Sequence, residues 1–272
     1  MNATNGWSLP DSWFEVLDWA IKNCRTQSLN AILDLHEYDA MGTEPEANHN
    51  KFLAFWRQLS AHCANQPSSV VFEILNEPSR KLNPELWNEY LRQALGLIRA
   101  ENPTRTVIAG PGFWNSINHL QELQLLEADQ NLIVTVHYYA PMDFTHQGAA
   151  WANRKDKVGV DWLGTENEIN AIAADFDKAV NWAKAHNRPA FLGEFGAYDK
   201  APMESRARYT SAVARAAEQW GWSWAYWQFD SDFILYDIGH DNWVEPIRRA
   251  LVPEGELSPK RAQNDLPGRS AF

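Results

Sequence analysis

The chain has 272 residues, 45% of them hydrophobic, which suits one enzyme-sized domain with a large core. With 24 Lys and Arg against 35 Asp and Glu its formal charge is −11, and this charge disfavours nucleic acid and other phosphate-rich partners. No stretch approaches the roughly 18 consecutive apolar residues of a membrane span, so no membrane partner is expected.

The cysteines and the first residues indicate neither a metal cluster nor a targeting segment. Cys24 and Cys63 each fall within a predicted helix, so no disulfide framework is expected either. The opening residues, MNATNG, are polar and lack the apolar core of a signal peptide. We expect a soluble protein of unknown compartment, because a signal can be removed together with other N-terminal sequence.

Short apolar runs alternate along the chain with longer amphipathic stretches, which is the pattern of βα units and a parallel sheet. Six such units are predicted, with a weakly helical stretch around Ile117–Leu126. The predicted strands are Leu29–Leu35, Val70–Leu75, Thr106–Ala109, Leu132–Val136, Pro189–Leu192 and Trp222–Tyr226. The predicted helices are Asp11–Thr26, Asn50–Ala64, Pro84–Asn102, Glu166–His186, Met203–Gln219 and Asp241–Leu251.

Two segments fall outside this alternation. Residues 140–164 lack clear periodicity and are predicted to form a long loop, a kind of segment that usually carries function in compact domains. Within it, Phe144, His146 and Trp151 are candidates to line a cleft. Residues 253–272 are rich in turn formers and charge, so we predict one folded domain over 1–252 and a mobile tail over 253–272.

Polar and aromatic side chains gather where the predicted strands end. In parallel α/β folds the reacting groups collect at this edge, and a polar side chain that follows a buried strand needs a partner or a purpose. Any one of these residues alone would more often be a surface charge or a core aromatic, but their shared edge favours a site. The set comprises His36, Tyr38, Asn76, Glu77, Trp114, His137, Tyr139, Glu194 and Trp227.

Two members of the set, Glu77 and Glu194, are carboxylates at the ends of different strands. Glycoside hydrolysis needs such a pair, one protonated to assist the leaving oxygen and one ionised to attack the anomeric carbon. His137 and Tyr139 are candidates to hydrogen-bond Glu194 and hold it ionised, which leaves Glu77 as the proton donor. The 14 Trp residues fit this chemistry because indole faces stack on sugar rings, although about half are expected in the core.

Four motifs in order resemble glycoside hydrolase family 5. They are ILNEP at 74–78, VHYY at 136–139, LGEFG at 192–196 and YWQF at 226–229. The likeness extends from about Leu9 to Val252, and stretches such as NPTRTVIAGP and YYAPMDFTHQGAAW are similar to bacterial endoglucanases of that family. The resemblance implies a secreted (β/α)₈ barrel that cleaves internal β-1,4-glucosidic bonds with retention of configuration and needs no metal or cofactor.

The resemblance also implies catalytic roles. By motif position Glu77 resembles the family's acid/base and Glu194 its nucleophile. His137 and Tyr139 are similar to the pair of residues that orients the site. The expected substrate partner is a β-glucan polysaccharide.

Four further residues resemble substrate-binding positions. Asn76 is similar to the residue that hydrogen-bonds the sugar 2-hydroxyl, and Trp227 to the platform under the sugar next to the scissile bond. His36 matches a histidine at the end of the family's third strand. Trp114 lies where an aromatic side chain often faces the aglycone.

The chain departs from the family pattern ahead of Leu29. Family members begin with a strand, a helix and a second strand that carries an arginine near the nucleophile, and these have no counterpart in this sequence. We therefore expect an incomplete barrel of about six strands whose open edges pair with another copy in a homo-oligomer, the alternative being a poorly stable fragment. Without that arginine, Glu194 is expected to ionise less readily and turnover to be reduced.

Other functions remain open at this stage. The motifs define the mechanism more than the sugar, so a related β-glycanase acting on mannan, xyloglucan or mixed-linkage glucan is an alternative. From a different class, the chain could be a weakly active or inactive barrel fragment that binds carbohydrate and assembles into oligomers. A nucleotide-binding α/β protein is disfavoured because no Gly-rich phosphate loop follows any strand.

Overall fold

Six parallel strands form one curled sheet in the computed structural model, which describes Thr4 and residues 6–253. The strands are β1 (Ala31–Asp34), β2 (Val70–Glu73), β3 (Val107–Ala109), β4 (Leu132–Tyr138), β5 (Ala190–Phe195) and β6 (Ser223–Trp224). They are hydrogen-bonded to one another in chain order. Parallel neighbours need crossover connections, and the intervening segments supply them.

Helices connect the strands in most units. They are α1 (Asp11–Thr26), α2 (Tyr38–Thr43), α3 (Pro45–His62), α4 (Pro84–Glu101), α5 (Gly112–Asn115), α6 (Met142–Thr145), α7 (Glu166–Ala185), α8 (Met203–Gln219) and α9 (Glu245–Leu251). There are 3-10 turns at Ile117–Glu122 and Ala150–Ala152, and a hairpin of β7 (Tyr236–Asp237) and β8 (Asn242–Trp243). No helix of the described part has the length and hydropathy needed to cross a membrane.

Local sequence explains where the long helices start. The α4 helix has Asn83 at its N-cap, where the side chain accepts a hydrogen bond from the Leu86 N–H at 2.9 Å. The α7 helix has a capping box, in which Thr165 and Glu168 each satisfy the other's backbone N–H. Proline begins both α3 and α4, a position where its missing N–H costs no hydrogen bond.

Large aromatic side chains anchor the helices to the sheet. Trp56 of α3 and Trp87 of α4 are 0% and 1% exposed. Their indole N–H groups donate to the carbonyl oxygens of Ile74 and Gly110, just beyond β2 and β3, at 3.0 and 2.9 Å. Because a buried indole N–H needs an acceptor, these bonds fix how each helix lies over its strand.

The sheet curls like part of a barrel but does not close. A closed (β/α)₈ barrel has eight strands. Among residues 6–253, β1 pairs only with β2 and β6 only with β5, which leaves both edges open. The predicted α/β fold, an incomplete TIM-type barrel with six parallel strands, is confirmed. The predicted tail lies outside the described residues from 254 onward.

Several element boundaries differ from the sequence prediction. The α3 helix begins at Pro45 and not at Asn50, because proline suits the first helical turn. The α9 helix begins at Glu245 and not at Asp241, since the chain before it forms the unpredicted β7–β8 hairpin. The predicted sixth strand is reduced to two residues, and the segment 140–164 holds α6 and a 3-10 turn within its loop.

Arg105 joins the turn before β3 to the end of α3. Its side chain is 7% exposed. The guanidinium donates to the Asn102 side chain and to four backbone carbonyl oxygens between Cys63 and Val70, at 2.8–3.0 Å. All of its donor nitrogens are therefore engaged. They add to the backbone hydrogen bonds of the α3–β2 connection, in which the carbonyl oxygens of Cys63 and Pro67 also accept from the N–H groups of Gln66 and Val70.

We predict that Arg105→Met lowers the free energy of unfolding by about 3–5 kcal/mol, because it removes the five hydrogen bonds of a buried guanidinium at once. Thermal unfolding should occur at least about 6 °C lower, at 2–4 °C per kcal/mol for a domain of this size. Scanning calorimetry measures the shift. Arg57→Met, at an exposed position of α3, is the matched control. Equal shifts for the two variants would contradict the role of Arg105.

Candidate active site

A cleft of about 230 Å³ opens at the carboxyl ends of the strands, where the sequence predicts a site. Seven of the nine residues of the predicted set line it, and the loops after β4 and β6 supply the rest of the wall. The lining residues are His36, Tyr38, Asn76, Glu77, Tyr139, His146, Trp151, Glu194, Trp227, Gln228, Asp232 and Phe233.

Glu77 reaches the cleft from the loop after β2, in a strained backbone conformation. Its φ of 50° lies in the left-handed region, which costs a residue other than glycine about 1–3 kcal/mol. The surrounding structure fixes this conformation: the next residue, Pro78, accepts a hydrogen bond from the Trp114 N–H at 3.1 Å. Such strain is common where a side chain must be held in one position for function.

Glu194 lies on β5 between two glycines that permit close contact. A Cβ atom at Gly193 would lie 2.3 Å from Thr135 Oγ1 and 3.1 Å from His137 Nε2. A Cβ atom at Gly196 would lie 2.2 Å from the carbonyl oxygen of Trp227. The LGEFG motif therefore lets β4 approach β5 on one side of Glu194 and lets the Trp227 backbone approach on the other.

His137 lies between the two glutamates. Its Nδ1 is 2.8 Å from Glu77 Oε1 and 3.4 Å from Glu194 Oε2. Glu194 accepts a hydrogen bond from the Tyr139 hydroxyl at 2.9 Å, as the sequence predicts. The predicted hydrogen bond from His137 to Glu194 is wrong, because the single Nδ1–H points to the closer oxygen, on Glu77. His137 itself is buried behind the cleft lining.

Burial and charge shift the proton affinities of these groups. Burial by itself lowers the pKa of His137, but the charge of Glu194 and the hydrogen bond to Glu77 outweigh it and raise the pKa to about 9. This shift favours the positively charged form of the ring at neutral pH. Burial raises the pKa of Glu194, while His137 and the Tyr139 hydroxyl oppose that rise. Burial beside Glu194 holds the pKa of Tyr139 well above 10, so its hydroxyl stays a donor.

His36, Asn76 and Trp227 form one flank of the cleft. Asp34 lies 2.7 Å from His36 Nδ1, and this hydrogen bond is the main reason that the pKa of His36 is raised. The other ring nitrogen lies 3.3 Å from Asn76 Nδ2. The imidazole stacks on the Trp227 indole, with ring centroids 5.4 Å apart and planes at 6°. The indole is thereby fixed with its plane beside the carboxylates.

The opposite flank comes from the long loop after β4. His146 and Trp151 line the cleft, as predicted, and their rings meet edge to face at 5.1 Å. Phe144, the third candidate, does not line it, because its side chain is 1% exposed and packs on Tyr209 in the core. Burial lowers the pKa of His146 to about 4, so this ring is neutral where His137 is charged.

The remaining differences concern Trp114 and the segment after β6. Trp114 lies on α5 outside the cleft lining, with 44% of its surface exposed. Gln228, Asp232 and Phe233 line the cleft, although they were absent from the predicted set. Gln228 belongs to the YWQF motif, and Asp232 and Phe233 follow it closely. That motif is the signal that could have found them, but the segment after it has no periodicity from which to place its side chains.

The three groups Glu77, His137 and Glu194 also suit a metal ion by ligand type. One donor atom from each lies within 4.8 Å of the others. A bound ion would have to displace the proton from the Nδ1 of His137, since metal ligands bind deprotonated. With the pKa of His137 at about 9, the cluster holds a proton strongly at neutral pH.

The curled parallel sheet, with two carboxylates and an indole at its carboxyl edge, has the arrangement found in glycoside hydrolases of the (β/α)-barrel type. The family model "Cellulase (glycosyl hydrolase family 5)" matches residues 1–232. The chain therefore belongs to glycosyl hydrolase family 5.

Relatives with known names agree with this assignment. Endoglucanase H of Acetivibrio thermocellus is 29% identical over 247 residues, which cover 89% of this chain and 26% of that protein. A solved endoglucanase is 39% identical, with a TM-score of 0.88 over 91% of this chain and 80% of that chain. Endoglucanase Cel5A of Thermotoga maritima is 38% identical, with a TM-score of 0.87 over 90% and 79%. The chain thus spans about a quarter of Endoglucanase H.

A buried carboxyl group beneath the cleft gives a pH dependence to stability. Glu73 of β2 is 7% exposed and has an oxygen without a hydrogen-bond partner in the described structure. Burial, with the charge of Asp34 next to it, raises its pKa from 4.5 to about 8. The folded protein then binds this proton more tightly than the unfolded chain, so stability falls as pH rises from about 4.5 to 8. The raised pKa of His137 likewise makes stability fall as pH rises, here between pH 6.5 and about pH 9.

We predict that Glu73→Gln reduces the loss of folding stability that accompanies rising pH. The thermal midpoint of the wild type should fall between pH 5 and pH 8, and that of Glu73→Gln should fall by at least about 3 °C less. Differential scanning fluorimetry at four pH values measures both. Glu101→Gln, at an exposed position of α4, should parallel the wild type. Parallel curves for all three proteins would show that Glu73 does not hold its proton.

Proposed function

We propose that the chain is a retaining endo-β-1,4-glucanase in which Glu77 is the acid/base and Glu194 the nucleophile. The distance between the two carboxylates carries the proposal, since one oxygen of each lies within 4.8 Å of the other. Retaining glycosidases hold these groups about 5–5.5 Å apart, whereas inverting enzymes leave about 6.5–9.5 Å for a water molecule. The spacing favours double displacement.

The proposed reaction has two steps. Glu194 attacks the anomeric carbon, and the glycosidic C–O bond breaks as Glu77 gives its proton to the leaving oxygen. A water molecule then attacks the same carbon, Glu77 takes its proton, and the bond to Glu194 breaks. Both displacements invert the anomeric carbon, so the product keeps the β configuration.

His137 supports this cycle electrostatically. Its positive charge lies within 3.4 Å of both carboxylates, and it favours the ionised form of the nucleophile where burial opposes it. The Tyr139 hydroxyl donates to the same carboxylate. The raised pKa of Glu194 agrees with the expectation that this nucleophile ionises less readily than it would beside an arginine.

The substrate class rests on the relatives. An endo-β-1,4-glucanase structure in complex with substrate is 37% identical to this chain, and Cel5A of Thermotoga maritima has been solved with cellobiose and with mannotriose. We favour β-1,4-glucan because the named relatives are endoglucanases. The mannotriose complex keeps β-mannan as the second candidate.

We predict that Glu194→Gln and Glu77→Gln each lower kcat on a soluble cellulose derivative by at least about 10²-fold, because each removes a reacting group. Reducing-sugar assays on cellulose, mannan and lichenan derivatives measure activity and specificity together. Glu127→Gln, an exposed carboxylate change, should keep wild-type activity. Equal background rates for all four proteins would favour the inactive carbohydrate-binding alternative. Proton NMR of the first product should show the β-anomer, and the α-anomer would contradict retention.

We also propose that the open sheet pairs with a second copy. The β1 edge carries exposed apolar side chains, with Leu29 at 58% and Ile32 at 41% exposure, and an unpaired strand edge invites strand addition. Light scattering at micromolar concentration should give a mass above that of one chain, and Ile32→Lys should lower it. A monomeric mass for the wild type would remove the proposal.

A further inference from the structure

A second cleft lies at the opposite end of the sheet from the catalytic carboxylates. It has a volume of about 470 Å³, within the ~300–1,000 Å³ of small-ligand sites. The ends of α7 and α8 and the first residue of β5, Ala190, form its walls. Ala190 is four residues before Glu194, or about 13 Å along the strand, so a short ligand in this cleft does not reach the carboxylates.

The lining of this cleft is amphipathic. Trp220 has 42% of its surface exposed, while Trp222 forms a buried apolar floor at 8%. Lys184 and Asn187 are exposed polar residues of the same lining. An exposed indole with an apolar floor and polar groups beside it matches a pyranose ring, which has apolar C–H faces and a rim of hydroxyls.

The indole is held in position. The Lys184 ammonium lies 4.9 Å from the centroid of the Trp220 ring, a cation–π contact. Trp222, two residues further, stacks on Phe176 with centroids 5.4 Å apart. A ligand would stack on the face of the Trp220 ring opposite Lys184.

The charges of the cleft favour a neutral ligand. Arg188 lines it but is 7% exposed, and its guanidinium donates to the backbone carbonyl oxygens of Leu126, Glu127 and Asp129. Lys184 is engaged with the indole. The Arg188 guanidinium is thus engaged with backbone groups, and Lys184 is the one cation of the described lining that remains exposed.

We propose that this cleft is a second carbohydrate site, which binds a neutral β-glucan chain on Trp220 independently of the catalytic cleft. The choice of β-glucan rests on the proposed function. In β-1,4-glucan the ring hydroxyls are equatorial, so both faces of each sugar present C–H groups to an indole. On a polysaccharide, a second contact raises the local concentration of chain at the enzyme.

Native gel electrophoresis through neutral hydroxyethyl cellulose tests the proposal. The comparison uses Trp227→Ala, which weakens the catalytic cleft, and the double variant Trp220→Ala/Trp227→Ala. The double variant should bind about 3- to 10-fold more weakly, the equivalent of one aromatic contact. Trp19→Ala on the same background is the control, since Trp19 is 67% exposed on α1 and lines neither cleft. Equal retardation of the double variant and of Trp227→Ala alone would overturn the site.

Two milder variants distinguish the loss of a ligand contact from misfolding. Trp220→Phe should keep part of the retardation, because it keeps an aromatic face. Asn187→Gly should lose about 2- to 5-fold through the lost amide, without backbone strain, because Asn187 already has a φ of 51°. Wild-type retardation in both would count against the proposal.

Activity assays distinguish a failure of this binding site from a failure of the proposed function. Trp220→Ala should keep kcat/KM on a short aryl cellobioside and lose about 3- to 10-fold on polysaccharide. If the wild type hydrolyses neither substrate, the proposed function fails, while the gel still decides the binding site. An equal loss on both substrates would show that Trp220 acts on the fold and would overturn the proposal.

Discussion

The arrangement of the candidate site depends on one buried positive charge held between two carboxylates. Two glutamates this close in a poorly solvated place repel each other, and the imidazolium of His137 makes their proximity favourable. The register of the sheet makes this contact available. The pairing of β4 with β5 shifts between Val136 and His137, so His137 lies opposite Glu194. Irregularities of this kind often lie beside active sites, where they redirect a side chain.

The position and charge of His137 also account for features of the residues around it. Gly193 is required because the His137 ring and Thr135 occupy the space that a side chain there would fill. Glu73, in the layer below, has its negative form disfavoured by Asp34 and Glu194 and favoured by His137. The two candidate carboxylates therefore belong to a connected set of buried ionisable groups, in which a change of charge at one member shifts the proton affinity of the others.

Sequence reasoning located this site well where strand and motif coincide. The runs before Asn76, His137 and Glu194 are apolar and end in a polar residue, so both the strand and the edge could be predicted. It did not foresee which glutamate would take the hydrogen bond of His137, because that depends on a one-residue shift in register. Trp114, predicted to face the aglycone, lies on α5 in a left-handed backbone conformation outside the cleft lining, and its role stays a prediction. Phe233 was missed because its loop has no repeating pattern.

Some residues of the candidate site lie on or after interior strands of the open sheet, and others follow its two edge strands. Three of these residues depend on interior strands, which have neighbours on both sides. Glu77 follows β2, His137 lies on β4 and Glu194 lies on β5. His36 follows β1 and Trp227 follows β6, the two open edges, and their stacked rings bring these ends of the sheet together. The two candidate carboxylates are thus supported by paired strands. The Trp227 backbone is held to β5 by a hydrogen bond from its N–H to the Phe195 carbonyl oxygen, whereas the stack of its ring on His36 crosses the opening. A disturbance at the β1 edge should therefore reach the stacked rings before it reaches the two carboxylates, since no ladder of hydrogen bonds joins β1 to β6.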